Sequence, residues 1–196
     1  MADFWLYFKE GLFHVLDWNA YDHILFFIVL TVPYTFSYWR KLVSLVTIFT
    51  VGHMISLALS VYGVVKIDTS LIEFLIPITI LFTAIFNIFT GGRKAKKGAI
   101  TVYYTSALLI GLVHGFGFST YFKMMTAGRS DKLLPLLEYT LGIEAAQLIV
   151  VLIVLIISFI FQAIFRFSVR DWVMVISAVV VGLVIPMLVD NWQNFT

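Results

Sequence analysis

Between residues 21 and 190 the chain is a succession of apolar runs, at about 21–38, 42–63, 71–89, 99–118, 135–164 and 172–190, parted by short polar connections. As a helix rising about 1.5 Å per residue, each run reaches across most or all of a hydrocarbon core of about 30 Å. A bilayer core admits only helices and closed barrels, because every backbone N–H and C=O must find a partner there. These runs are continuous and lack the period-two alternation of barrel strands. The expected fold is therefore all-α: one integral membrane domain, 1–196, built as a polytopic bundle of six transmembrane helices. Composition agrees, since 61% of the residues are hydrophobic and only 12% charged, against roughly 45–50% and 25% in soluble domains. No room remains for a soluble catalytic or nucleotide-binding domain.

The stretch Phe4 to Trp18 differs from the rest. Lys9, Glu10, His14 and Asp17 interrupt it, and Trp5, Tyr7 and Trp18 suit a headgroup belt, so an interfacial helix over about 4–18 is expected. The amino terminus lacks the basic stretch and cleavage site of a signal peptide and is expected to stay on the mature protein. Asn19 is positioned to cap the first span, with Asp22 in its first turn. Pro77 is placed to bend the third span near Glu73, and Asn87 to hydrogen-bond a neighbouring helix.

Eight of the thirteen basic residues lie in the first, third and fifth connections: Arg40 and Lys41, Arg93, Lys94, Lys96 and Lys97, Arg166 and Arg170. The positive-inside rule then puts both termini outside, in a bacterial-type inner (plasma) membrane. The segment GGRKAKK reads as a topology anchor beside anionic lipid. Membrane lipids are expected neighbours. The net charge of +2 reports this loop bias, and nucleic acid is not an expected partner.

Ionisable residues inside apolar runs are costly and by default functional. In the six-span topology Asp22, His23, His53, Glu73, His114 and Glu144 all fall between midplane and outer face, which points to one polar chamber opening outward. With no cysteine in the chain, a metal must be held by imidazole and oxygen, a donor set suited to a divalent transition metal such as Ni, Co or Zn. The plainer role for each histidine is an interhelical hydrogen bond. Gly111, Gly115 and Gly117 surround His114, and the first two form a small-residue pair that lets another helix approach closely. Gln147, one turn after Glu144, is placed to orient that carboxylate.

At these residues the sequence resembles the HupE/UreJ family of hydrogenase and urease accessory membrane proteins. The blocks GLFHVLDWNAYDHILF, FTVGHMISLAL, LIEFLIPITI, GLVHGFGF and LGIEAAQL follow one another in that family's order, over about residues 11–150. The resemblance implies a six- or seven-helix, metal-related protein of the nickel or cobalt permease or accessory type. It also implies His14, Asp22, His23, His53, Glu73, His114 and Glu144 as metal-binding residues. The interval between His14 and Asp22 is longer than the family's usual one. On a continuous helix nine residues place His14 and His23 on opposite faces, so they share an ion only if the chain breaks near Asn19. Asp17 is the alternative ligand.

The leading functional expectation is a divalent-metal permease or metalloenzyme accessory protein, with a metalloenzyme maturation factor or another membrane protein as partner. A zinc-dependent intramembrane hydrolase is the alternative, with Asp22 or Glu144 as general base and Ser56 or Ser119 at the oxyanion. A metal-stabilised structural subunit of a membrane complex is the third.

Overall fold

The computed structural model describes residues 2–18, 21–91 and 99–195. Asn19 and the 92–97 part of the basic anchor lie outside these residues. Among the described residues the chain forms helices and no strand: α1 Ala2–Leu16, α2 Asp22–Thr31, α3 Trp39–Val61, α4 Thr69–Thr90, α5 Ala99–Gly117, α6 Ser119–Met125, α7 Leu133–Ala163 and α8 Val169–Phe195.

Four of the described helices are long and apolar enough to cross a membrane: Phe36–Val61, Thr69–Thr90, Leu133–Ala163 and Val169–Gln193. A fifth crossing arises if α5 and α6, bent by 52° at their junction, are one broken span. The six-span expectation is thus met as four or five. The shortfall lies in the run 21–38, where α2 stops after ten residues and the chain passes Pro33 before a 3-10 turn, Phe36–Tyr38, leads into α3. Proline has no N–H with which to extend the helical ladder. Ten residues cover only about 15 Å.

α1 also differs from a helix lying flat in the headgroups. Tyr7 and Val15 are buried, and α1 packs along α7. A Cβ on Gly11 would collide with the Tyr139 carbonyl, and one on Gly142 with the Phe8 carbonyl, so two glycines set this close approach. The opposite face exposes Trp5 and Phe13, and Trp18 beyond the helix end is exposed as well.

Local signals account for several ends. Asp68 caps α4, its Oδ1 accepting from the Ser70 backbone N–H at 2.9 Å, and Gly91 ends that helix in the left-handed region at φ 55°. α4 continues through Pro77. Asn87 fulfils its expected role, donating from Nδ2 to the Val29 carbonyl of α2 at 2.6 Å. The main pairings are α3 with α5, α1 with α7 and α4 with α8, while α2 lies against α4 and α7. Phe26, Phe27 and Phe49, all fully buried, join α2 to α3 at the centre of the apolar core.

Candidate metal centre

Four histidines from four helices converge beside this core. His53 and His114 come together because α3 and α5 approach closely: a Cβ on Gly52 would strike the Leu108 carbonyl, on Gly111 the Phe49 carbonyl, and on Gly115 the His53 carbonyl and Ser56 Oγ. Sequence reading identified Gly111 and Gly115 but missed Gly52, whose signal was its place immediately before His53. His14 and His23 arrive differently. α1 ends at Leu16 and α2 begins at Asp22, so the chain breaks where sharing an ion requires it, and the two rings stand 4.7 Å apart between centroids.

One ring nitrogen each from His14, His23 and His53 lies within 4.8 Å of the others. Three atoms so spaced all lie within about 2.8 Å of some common point, against about 2.0–2.1 Å for a Zn–N bond, so modest ring movements close the site. The His114 ring neighbours that of His23 at 5.2 Å and is held between Phe26 at 5.5 Å and Phe49 at 5.3 Å.

Two tautomers follow from chemistry. A carbonyl oxygen only accepts, so His114 Nδ1–H donates to the Ile110 carbonyl at 2.9 Å, leaving the lone pair on Nε2. Likewise Asp22 Oδ1 accepts from the backbone N–H of His23 at 2.9 Å and from its Nδ1 at 3.1 Å, which orients the ring and frees Nε2. These two Nε2 atoms, His14 Nε2 and both ring nitrogens of His53 are buried without a hydrogen-bond partner among the described residues. Interhelical hydrogen bonding alone would pair them, because an unmet buried polar atom costs about 1–3 kcal/mol. A divalent cation requires several free lone pairs close together, and His14, His23 and His53 supply a ligand atom each within 4.8 Å of the others, so the residues present fit a metal.

Other sequence candidates sit elsewhere. Glu144 accepts from Thr47 Oγ1 at 2.6 Å and Gln147 from Thr50 Oγ1 at 2.7 Å, forming a polar seam between α3 and α7. Glu73 is exposed on α4, and its backbone carbonyl accepts from Asn191 Nδ2 at 2.6 Å. Ser56 Oγ donates to carbonyls of its own helix, those of Gly52 at 3.2 Å and His53 at 3.0 Å. Ser119 is buried at the start of α6. Asp17 is exposed and lines a recess that reaches His14.

Two aromatic residues that sequence reasoning missed close one side of the cluster. The Phe118 ring lies 3.9 Å from that of His14 and stacks on Tyr139 at 5.0 Å, 9° from parallel. Tyr139 is fully buried, and its hydroxyl is another oxygen without a partner among the described residues.

These features, a helical membrane bundle with histidines gathered at one place, define a class of polytopic membrane protein. A comparison with protein families extends that: the family described as HupE / UreJ protein matches residues 1–191. The chain belongs to the HupE/UreJ family. Searches of curated proteins and of solved structures each gave no significant match.

Proposed function

We propose that this protein is an integral membrane binder of a divalent transition metal, of the nickel or cobalt kind, acting as a permease or as an accessory to a metalloenzyme. The observation that carries the reading is the set of buried, unpartnered nitrogens of His14, His23 and His53, with a ligand atom of each within 4.8 Å of the other two. His114 stands ready beside them. Asp22 supplies the carboxylate that holds His23 in its ligand tautomer and offsets the ion's charge. Family membership agrees with this reading, since the resemblance to that family implies a protein of the nickel or cobalt permease or accessory type. Imidazole suits Ni, Co and Zn alike, so the donor set selects this group over hard cations.

In this reading the metal is cargo. Three imidazoles replace part of its hydration shell, and the absence of thiolate keeps the ion exchangeable. A hydrolytic role would need a water-activating carboxylate, and both candidates are engaged: Asp22 with His23, Glu144 with Thr47. Arg40 and Lys41 support a plasma-membrane topology with the amino end of α3 on the cytoplasmic side.

Elemental analysis of detergent-purified protein tests the reading, with wild type beside His53→Ala and His23→Ala after Ni²⁺ loading and removal of free ion. Near-stoichiometric metal in wild type that falls in both variants is expected. No retained metal and no saturable binding of Ni²⁺, Co²⁺ or Zn²⁺ by wild type would overturn it.

A further inference from the structure

The histidine cluster has one neighbour that its chemistry does not account for. A recess of about 610 Å³ opens beside it, lined by Glu10, Phe13, His14 and Asp17 from α1 and its end, and by Phe118 and Tyr121 from the α5–α6 break. His14 belongs both to this recess and to the three-histidine group. Glu10 and Asp17 give the recess two carboxylates, and the Tyr121 hydroxyl donates to Glu10 Oε2 at 3.2 Å, fixing that acid on the wall. Phe118 lines the recess as well, its ring 3.9 Å from that of His14 and stacked on Tyr139. Phe118 sits where α5 turns by 52° into α6, a short helix of seven residues.

We infer that this recess is the cation's vestibule and that Phe118 is the gate between it and the histidines. The inference rests on the metal-binding reading of the cluster and adds its access route. Two carboxylates at the mouth of a low-dielectric cleft raise the local concentration of a hydrated divalent cation and speed its capture, an effect that salt weakens. They favour the ion while it keeps its water, because oxygen ligands suit a hydrated cation. The imidazoles then replace that water one ring at a time, beginning with His14, the histidine the recess reaches. Phe118 offers no ligand. Its ring has to swing off His14 for the ion to pass, which the helix break beside it permits without unwinding either helix.

The test is stopped-flow binding of Ni²⁺ to metal-free protein in lipid nanodiscs, followed with a competing metal-sensitive dye. Glu10→Gln combined with Asp17→Asn is expected to slow association about tenfold at low ionic strength. The difference should shrink in high salt, with the bound stoichiometry retained. Phe118→Ala should speed association and dissociation together, and Phe118→Trp should slow both, leaving the affinity nearly unchanged. Rates untouched in both sets of variants would overturn the vestibule while leaving the cluster in place. Loss of stoichiometry in the Glu10/Asp17 variant would also overturn it, by making those carboxylates part of the final site. Wild-type protein that takes up no Ni²⁺ would remove the cluster reading itself, a result distinct from either.

Discussion

The two halves of the histidine cluster are built by opposite means. α3 and α5 are continuous at His53 and His114, and glycine lets their backbones nearly touch, so those imidazoles are fixed by packing. α1 and α2 deliver His14 and His23 from two separate helices, the first ending at Leu16 and the second beginning at Asp22, with the rings 4.7 Å apart. The first pair is rigid by construction. The second meets it through ring contacts, His14 and His23 each lying 6.1 Å from His53 and His23 lying 5.2 Å from His114, while Asp22 orients His23 from within the same helix. A transport or transfer site needs both properties, a fixed platform and a ligand pair that can let go.

The largest effect should come from the platform. Gly115→Leu forces a side chain into the His53 carbonyl and Ser56 Oγ, and overpacking of this kind costs about 1–3 kcal/mol or more. A lowered thermal midpoint in detergent together with loss of bound nickel is expected. Gly182, where nothing lies within 4 Å of an added Cβ, is the control: Gly182→Ala should be neutral or stabilising by up to about 1 kcal/mol, from helix propensity. Equal damage at both positions would break the comparison.

Next comes the site itself. His53→Ala removes a ring with both nitrogens buried and unpartnered among the described residues and should weaken nickel binding more than His114→Ala, whose ring stands beside the group and bonds Ile110. Competition with a chelator of known affinity measures both. Asp22→Asn, which loosens the orientation of His23, should weaken binding by about 10–100-fold without changing the number of ions bound, as outer partners of metal-bound histidines commonly do.

The smallest effect lies far from the cluster. Hydrogen bonds from the Ser70 hydroxyl and backbone hold the Asp68 carboxyl below the usual carboxylate range. Its contribution to capping α4 is therefore full above the ordinary carboxylate pKa and fades as pH falls through the lowered value. Wild type and Asp68→Ala should differ slightly in thermal midpoint near neutral pH and converge in acid, with nickel binding the same in both.

Particular residues show what could be read in advance. The spans around α3, α4, α7 and α8 were legible because long apolar runs have few alternatives in a bilayer. Gly111 and Gly115 were legible as a contact surface, since small residues four apart share a helix face. The run 21–38 was not, because hydropathy is blind to where Pro33 stops a helix. Depth placed Glu73 and Glu144 level with the histidines, yet depth says nothing of the direction a side chain takes around its helix. One faces outward on α4, and the other meets Thr47. Phe118 carried no signal at all: a phenylalanine among nineteen becomes noticeable only once its ring is seen lying on His14.

The most direct measurement of the central claim is X-ray absorption at the nickel edge of the loaded, purified protein, compared with its Asp22→Asn variant. The account predicts at least three imidazole nitrogens in the first coordination shell of wild type, with greater disorder among them in the variant. A shell made of oxygen alone in wild type would contradict it and leave the four histidines as packing residues.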